Sequence, residues 1–429
     1  MCPPCRRYCH RMRLERPHRT ERFGAVRIHE LQRVIELDSG GEGAGGDPRT
    51  SVRVPPEAIR DVERDMVIVV PCKNETRRVI EGVLSGIPHG CLILLVSNSV
   101  RQPVDRYEIE AQAVEQYCQL AERTAITVHQ RDPGLAAAMK AAGATDITDE
   151  YGLLRSGKGE GMLVGLALAA LTGRRYLGFI DADNFAPGAV NEYCKAYSTA
   201  LHLADSPYAM VRISWHSKPK LRDGKLFFSR RGRTSEVTNR FLNQLIGEYS
   251  GFGTEVVATG NAGEHAFTMD LGLKLRLAGG FAVEPFEYLD MFEQFGGVLD
   301  SSHPEVMERS VLVTQIETRN PHFHDNKGEL HVRDMRLQAL NVIYHSAVCL
   351  PSVRADVLEF LAGQGSLVPG DEPPRERIYP AVGTLALDRL CDVVLAEAHS
   401  LRQFGDSVDG SPEPVTQLNR ARVSTGQRG

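Results

Sequence analysis

From Met66 onward the chain alternates short runs of apolar, mostly β-branched residues with amphipathic segments, and this alternation limits the folds open to it. The apolar runs are MVIVVPC from Met66, CLILLVSNS from Cys91, AITVHQ from Ala125 and RRYLGFI from Arg174. A strand that is apolar at nearly every position must be covered on both faces. The sequence therefore predicts an α/β fold with a mixed, mostly parallel sheet and helices on both faces. Such sheets bind ligands at the carboxyl ends of their strands.

The helices and the remaining strands are predicted from periodicity and turn residues. Within the alternating region we expect helices near 76–85, 105–122, 133–142, 160–171 and 187–201. After Tyr208 an α+β region follows, in which YAMVRISWHS and KLFFSRR are predicted to pair around a turn at Asp223 and Gly224. The other predicted elements are a strand and helix within 24–38, helices near 236–249 and 271–278, a strand over 310–320, and C-terminal helices over 330–348 and 377–404.

Composition excludes several classes of function. The 429 residues include 50 Lys plus Arg and 55 Asp plus Glu. The chain therefore lacks the excess of positive charge that nucleic-acid binding normally needs. The longest apolar run, Met162 to Leu171, is about half of the ~20 residues that span a membrane. Nine scattered cysteines do not resemble a secreted disulfide framework. A cytoplasmic protein that binds neither nucleic acid nor membrane is expected.

The motif Asp181-Ala182-Asp183-Asn184 directly follows the apolar strand YLGFI. Two carboxylates at the carboxyl end of a strand point into the ligand cleft, where they can hold a divalent cation that neutralises a diphosphate. Helix capping before Pro187 could explain one acidic residue but not two. The motif predicts a metal and diphosphate site.

A glycine-rich segment, RSGKGEG from Arg155, opens the predicted helix EGMLVGLALAAL. With Gly152 it nearly matches a phosphate-binding loop, but Gly159 stands where a Ser or Thr should follow the lysine. A nucleotide-hydrolysing loop is therefore disfavoured. An anion site at the helix N-terminus, with Lys158 as a point charge, is the interpretation that survives, and a flexible turn with a solvated lysine is its alternative.

Two further segments end strands at the same predicted edge: VPCKNE from Val70 and Ser97-Asn98-Ser99. Their amide, hydroxyl and carboxylate groups suit a base and a ribose, although Asn74 and Ser97 could also be ordinary turn formers.

RRGRTSE from Arg230 offers guanidinium groups and hydroxyls to a phosphorylated acceptor, or is a surface turn with a helix cap. In ETRNPHFHD from Glu317, a histidine can bind the cation and Arg319 can contact a phosphate.

These motifs, taken in order, resemble the mannosyl-3-phosphoglycerate synthase family. The resemblance rests on VPCKNE, SNS, RSGKGEGM, DADN, GRTSEVTNR, GNAGEHA and ETRNPHFH, and it spans about residues 12–345. It implies a GT-A-type fold and a retaining transfer of mannose from GDP-mannose to the 2-hydroxyl of D-3-phosphoglycerate. The product, 2-O-α-mannosyl-3-phosphoglycerate, is the precursor of the compatible solute mannosylglycerate. The implied cofactor is a divalent cation, Mg²⁺ first, with Mn²⁺ or Co²⁺ as alternatives.

The resemblance also assigns site residues by motif. Asp183, Lys158 and Arg233 are the catalytic candidates. Apart from these motifs, Glu284 in GGFAVEP gives a faint signal for a stabiliser on the opposite face, and its alternative is a buried turn carboxylate. Gly232, Arg233, Ser235 and Arg319 are expected at the acceptor. The metal candidates are Asp181, Asp183 and one of His322 and His324, between which spacing does not decide. The expected donor contacts are Pro71, Lys73, Asn74, Glu75, Ser97, Asn98, Lys158, Asp181, Ala182 and Asp183.

The expected organisation has five parts: a disordered or upstream-start extension at 1–23, a GDP-sugar-binding Rossmann-like region at 24–206, an acceptor and metal-completing region at 207–329, C-terminal helices at 330–406 and a flexible tail at 407–429. A homodimer is left open. The alternative activities are a glucosyl-3-phosphoglycerate synthase using UDP- or GDP-glucose and, in a different class, a non-catalytic nucleotide-sugar sensor. The intact Asp-x-Asp disfavours the sensor.

Overall fold

A 13-stranded mixed sheet organises the protein, seen here in a computed structural model that describes residues 12–37, 48–222, 225–229, 233–322, 328–368, 370–405 and 418. Two further two-stranded sheets pair β11 with β12 and β14 with β16. The strands of all three sheets in the described residues are β1 (Met12–Glu15), β2 (Thr20–Phe23), β3 (Val26–His29), β4 (Gln32–Leu37), β5 (Ser51–Val54), β6 (Met66–Cys72), β7 (Leu92–Ser97), β8 (Ala125–His129), β9 (Tyr176–Phe179), β10 (Tyr208–Ser214), β11 (Lys218–Arg222), β12 (Lys225–Ser229), β13 (His265–Thr268), β14 (Leu277–Ala278), β15 (Val311–Glu317), β16 (Ile378–Tyr379) and β17 (Arg402–Phe404).

The helices cover both faces of this sheet. They are α1 (Pro56–Arg64), α2 (Arg77–Gly86), α3 (Arg106–Ala121), α4 (Pro133–Ala141), α5 (Lys158–Ala170), α6 (Pro187–Leu203), α7 (Arg233–Ser250), α8 (Met269–Gly272), α9 (Val283–Phe295), α10 (Pro304–Arg309), α11 (Gly328–His345), α12 (Pro351–Gly363) and α13 (Leu387–Glu397). None of the helices within the described ranges is both long and apolar enough to cross a membrane.

The sheet order explains where a ligand site can form. The path is β17-β8-β7-β6-β9-β13-β10-β15-β4-β1-β5, with β3 paired to β15 and β2 to β3. Strands β8, β7, β6 and β9 are mutually parallel, whereas β13 runs antiparallel to both of its neighbours, β9 and β10. The carboxyl ends of β6, β7 and β9 therefore meet at one edge, next to the strand at which the sheet changes direction.

The predicted α/β architecture is confirmed, and the packing shows why the apolar runs are continuous. Alternate residues of β6 belong to different cores: Val67 and Val69 pack on the side of α5, and Ile68 and Val70 on the side of α2 and α6. On the first side α5 lies so close that a Cβ at Gly165 would stand 2.5 Å from Val69 Cγ1. A strand with helices on both faces has no solvent side on which to place polar residues.

Residues 12–37 differ from the sequence prediction. The expectation of disorder before residue 24 is wrong for Met12–Glu15 and Thr20–Phe23, which form strands, and residues 1–11 lie outside the described residues. The predicted helix within 24–38 is also wrong, because Gln32–Leu37 alternates buried and less buried positions as a strand does. This strand pairs with β1 and β15.

Two further corrections concern strand partners and the C-terminal region. YAMVRIS does not pair with KLFFS: β10 lies between β13 and β15 in the main sheet, and KLFFS pairs with Lys218–Arg222 in a separate hairpin. The predicted helix near 271–278 is only a four-residue helix followed by a short strand. Residues 377–404 are not one helix, since α13 is flanked by β16 and by β17, which pairs with β8.

The predicted boundary between residues 206 and 207 does not divide the sheet. It lies between α6 and β10, yet β13 pairs with β9 across it, and β17 returns from the C-terminal region to the far edge. The regions predicted at 24–206, 207–329 and 330–406 therefore share one sheet, and the tail predicted at 407–429 lies outside the described residues except for Leu418.

Candidate active site

Backbone hydrogen bonds bring three of the predicted motifs together at the strand ends. Asn98 donates its N–H to the Cys72 carbonyl oxygen at 2.8 Å, which joins SNS to VPCKNE. The strand that precedes Asp181 continues the ladder, since Ile180 N donates to Val69 O at 3.1 Å and Ala182 N to Pro71 O at 3.4 Å. The parallel register thus places DADN beside PCKNE, as the sequence predicts.

Lys158 is the centre of a charge cluster at this edge. Its Nζ lies 2.7 Å from Asp181 Oδ1 and 2.8 Å from Glu284 Oε1. The lysine is the first residue of α5, Asp181 follows β9, and Glu284 lies in the first turn of α9, with its side chain 2% exposed. The alternative of a solvated lysine in a flexible turn is therefore excluded, and Glu284, for which the sequence signal was faint, belongs to the site.

The electrostatics of this cluster favour a cation. Burial by itself would lower the pKa of the Lys158 ammonium, but the two carboxylates outweigh it and raise this pKa above its ordinary value. One ammonium against two carboxylates leaves these three side chains with one net negative charge. Carboxylate oxygens with excess negative charge are the ligands that Mg²⁺ and Mn²⁺ prefer.

Two glycine contacts explain why GNAGEHA and GKGEG need their small residues. A Cβ at Gly263 would stand 2.6 Å from Asp181 Oδ2 and 2.9 Å from Lys158 Nζ, so the loop backbone packs directly on the ion pair. A Cβ at Gly159 would stand 2.0 Å from the Ala278 carbonyl oxygen. Glycine thus lets α5 lie against the Ala278 backbone, and it lets the loop backbone at residue 263 lie against the ion pair.

Helix α5 is also anchored through the residue at its third position, Glu160. Its carboxylate accepts a hydrogen bond from Gly280 N at 3.1 Å and another from the Tyr379 hydroxyl at 2.8 Å. Gln130 holds the preceding loop by donating to the Arg155 carbonyl oxygen at 2.6 Å. Sequence reasoning missed both residues, because the partners of Glu160 lie in distant parts of the chain.

Buried Glu110 of α3 organises the other two loops. It accepts hydrogen bonds of 2.5 Å from the hydroxyls of Ser97 and Ser99. Ser99 Oγ in turn accepts the N–H of Asn74, which has a φ of 62°, and Asn74 Oδ1 accepts the N–H of Val100. The predicted donor contacts Asn74 and Ser97 therefore fix the shape of these loops, and the fully buried Ser97 hydroxyl points to Glu110.

The remaining predicted donor residues differ in exposure. Lys73 is exposed, Pro71 and Glu75 are half-buried, and Ala182 is buried. Asn98 donates to the Ser156 hydroxyl at 2.8 Å, which links SNS to the loop before Lys158. The structure thus brings VPCKNE, SNS, RSGK and DADN together at one edge of the sheet, and their contacts with a nucleotide stay a prediction.

The segment that carries the histidines is fastened to α6. The Glu192 carboxylate, fully buried, accepts the backbone N–H groups of Arg319 at 2.7 Å and Asn320 at 2.8 Å. Further on, the ring of His322 stacks on Trp215 with a centroid separation of 4.1 Å. Trp215 Nε1 donates to Glu264 in GNAGEHA at 3.0 Å. Glu192 and Trp215 gave no signal in the sequence.

The metal set of Asp181, Asp183, His322 and His324 stays a prediction. His324 lies outside the described residues, and within the described ranges no three His, Cys, Asp or Glu side chains converge on one metal position. Two carboxylates at a strand end next to a buried ion pair nevertheless suit a cation whose other ligands come from a diphosphate.

The acceptor candidates are only partly described. Gly232 lies outside the described residues, Arg233 begins α7, and Ser235 is half-buried in its first turn. Arg319 donates from Nη1 to the Ile35 carbonyl oxygen at 3.0 Å. A separate cleft of about 920 Å³ lies along the outer side of α7, lined by Glu236, Arg240, Gln244 and the 251–255 turn among others.

Comparison with known proteins gives consistent matches. A family model described as mannosyl-3-phosphoglycerate synthase matches residues 16–394. The mannosyl-3-phosphoglycerate synthase of Pyrococcus furiosus is 44% identical over 92% of this chain and 100% of that protein, and that of Aeropyrum pernix is 35% identical over 87% and 95%. A solved glucosyl-3-phosphoglycerate synthase from Mycobacterium tuberculosis is similar at 18% identity, covering 76% of this chain and 94% of the other, with a TM-score of 0.43.

Proposed function

The chain belongs to the mannosyl-3-phosphoglycerate synthase family, and from this membership we propose that it transfers mannose from GDP-mannose to the 2-hydroxyl of D-3-phosphoglycerate. The product is 2-O-α-mannosyl-3-phosphoglycerate. The observation that supports the proposal most is the cluster of Lys158, Asp181 and Glu284 at the carboxyl ends of parallel strands. A sugar diphosphate bound there meets a helix N-terminus and a positive charge.

The donor occupies the cleft between the four connected loops. The base and ribose lie against the loops that follow β6 and β7, whose shape Glu110 fixes. The diphosphate lies at the start of α5, where backbone N–H groups and Lys158 stabilise its charge. GDP-mannose is the proposed donor because the family's name specifies mannosyl transfer, whereas UDP-glucose and GDP-glucose belong to the alternative synthase.

A divalent cation, Mg²⁺ in the first place, would be held by Asp181, Asp183 and one of His322 and His324. When bound, it would neutralise the leaving diphosphate. The net negative charge of the cluster fits such an ion. The acceptor's phosphate is bound by Gly232, Arg233 and Ser235 at the start of α7, with Arg319 as a further candidate, since a guanidinium and a helix N-terminus both favour an anion.

The local geometry favours a front-face route to retention. Glu284 is buried and ion-paired with Lys158, so it holds the lysine instead of attacking the sugar. The bond between the anomeric carbon and the diphosphate oxygen breaks, and the acceptor's 2-hydroxyl oxygen bonds to the same face. The hydroxyl proton passes to the departing diphosphate oxygen.

The proposal extends to a cytoplasmic enzyme that makes the precursor of the compatible solute mannosylglycerate. A homodimer stays a prediction that sedimentation velocity would test. The sensor alternative predicts nucleotide-sugar binding without turnover.

Incubation of the protein with 3-phosphoglycerate and one donor at a time, with and without Mg²⁺, tests the activity. With GDP-mannose we expect a metal-dependent product with an α-anomeric proton by NMR. Faster turnover of UDP- or GDP-glucose would establish the glucosyl alternative, and binding without product would establish the sensor.

A further inference from the structure

Three ionisable side chains form a fully buried network directly behind the candidate site. They are Arg212 of β10, His265 of β13 and Glu287 of α9, each with its side chain 0% exposed. Arg212 and His265 are cross-strand partners in the antiparallel register. Two basic side chains side by side are repulsive unless an acid lies between them, and Glu287 binds one with each carboxylate oxygen.

The two ring nitrogens of His265 face two oxygen atoms. Nδ1 lies 3.0 Å from the Ala262 carbonyl oxygen, and Nε2 lies 2.9 Å from Glu287 Oε1. A carbonyl oxygen can only accept, so Nδ1 donates to Ala262, while the contact between Nε2 and Glu287 is an ion-pair distance. Burial alone would raise the pKa of Glu287, but the neighbouring His265 and Arg212 side chains outweigh it and keep this pKa low.

The network fastens two backbone segments that line the site. Arg212 donates from Nε to Thr259 O at 3.0 Å and from Nη2 to Glu284 O at 2.9 Å. His265 donates from Nδ1 to Ala262 O at 3.0 Å, so Arg212 and His265 each bind one end of the 259–262 loop. The next residue, Gly263, packs on Asp181 and Lys158, and the Glu284 side chain binds Lys158. One backbone turn of α9 thus joins the buried network to the charge cluster.

We propose that Arg212, His265 and Glu287 are positioning residues for the sugar-nucleotide site. They fix the 259–263 loop and the first turn of α9, so that Asp181 and Glu284 hold Lys158 at the diphosphate. This inference rests on the proposed function for the identity of the ligand. Without the network, the protein keeps its sheet but loses the alignment of Lys158, and nucleotide affinity falls.

A matched control lies on the same helix. Asp290 is also fully buried in α9, and it binds Arg276 at 2.6 Å, but neither residue contacts the charge cluster. Replacing Asp290 by Asn removes a buried ionic partner of the same kind. If the network of Arg212, His265 and Glu287 had a purely structural role, disrupting it and disrupting the Asp290–Arg276 pair should have the same effect on GDP affinity.

The first measurement is the thermal unfolding of the wild type and of His265→Gln, Glu287→Gln and Asp290→Asn. It sets, for each protein, a temperature at which the fold is intact, so that the binding experiment compares folded proteins.

The second measurement titrates GDP with Mn²⁺ into His265→Gln, Glu287→Gln and Asp290→Asn, each well below its own unfolding temperature. We expect the first two to bind GDP at least ~10-fold more weakly than the wild type, as partners behind a ligating group usually do. Asp290→Asn should stay within ~2-fold. Equal affinities in all three variants overturn the proposal. Tight GDP binding without mannosyl transfer by the wild type would instead refute the proposed function alone.

Discussion

The proposed donor half of the site, built on β6 to β9, and the proposed acceptor half, built on β10 to β15, differ in how the chain assembles them. In the donor half, strands joined by one helix pair in parallel, as β6 and β7 do, and each apolar run signals its own burial. In the acceptor half, β10 pairs with β13 and β15, which follow much later in the chain. Local sequence patterns therefore predict the pairing of strands that are neighbours along the chain, but they do not predict the pairing of strands from distant segments.

The largest expected effect is on the donor side. Asp183→Asn should lower kcat by about 10²-fold or more while folding is retained, because a lost charge-stabilising group at a reacting diphosphate costs this much. Steady-state kinetics at saturating Mg²⁺ checks it. The control is Asp205→Asn, which removes an exposed carboxylate paired with Arg27. Activity of Asp183→Asn equal to that of the control would remove this residue from the diphosphate site.

A smaller and more selective effect is expected on the acceptor side. Arg233→Ala should raise KM for 3-phosphoglycerate by about 10- to 100-fold, since a hydrogen bond to a charged group contributes about 1.5–3 kcal/mol. GDP binding measured without acceptor should not change. If Arg233→Ala weakens GDP binding as much as it raises the acceptor KM, the division of the site between the two halves is wrong.

The histidine segment joins the halves, and Glu192 provides a way to separate ligation from positioning. The true ligand among His322 and His324, replaced by Ala, should weaken Mn²⁺ affinity in the presence of GDP by ~10-fold or more, and Glu192→Gln should weaken it less. Titration of Mn²⁺ against the three variants measures this order. If both histidine variants bind Mn²⁺ as tightly as the wild type does, neither histidine is a ligand, and the cation is bound by the carboxylates and the diphosphate alone.

The smallest effect concerns the N-terminal strands that join the acceptor half. The Arg33 guanidinium holds the pKa of Glu15 at about 2, and the Glu15 side chain is 9% exposed. Because this folded-state pKa lies below the ordinary value, the stabilisation is present above pH ~4.5 and disappears as the pH falls toward 2.

Glu15→Gln should therefore cost about 1–2 kcal/mol in free energy of unfolding at pH 7, since the partner Arg33 is exposed and solvent screens the pair. At pH 3 the difference from the wild type should shrink. Urea unfolding at both pH values measures it. An equal difference at both would show that Glu15 does not act through its charge.

The elements that could be predicted from sequence are mainly those whose strands pair with their neighbours along the chain. DADN, VPCKNE and SNS were located at strand ends because each directly follows an apolar run. The segment HELQRVIEL resembled a helix, yet it is a strand because β1 and β15 supply hydrogen-bond partners that its own sequence does not reveal. Helix α9 was missed, since Pro285 and its aromatic residues obscure the helical period.

The charge clusters show most clearly which contacts cannot be predicted from the sequence. Lys158 and Asp181 each have a motif, so the sequence could place both near a diphosphate. Their common partner Glu284 had a faint signal, and the network of Arg212, His265 and Glu287 had none. A buried ion network depends on side chains that only the folded chain brings together.

The most direct test of the central claim, that the diphosphate of the donor lies at the start of α5, is a crystal structure with GDP and Mn²⁺. We expect the β-phosphate to contact the N-terminus of α5 and Lys158 Nζ, with the cation on Asp183. GDP bound elsewhere, such as in the cleft along α7, with Lys158 still enclosed by its two carboxylates and no phosphate near it, would contradict the claim.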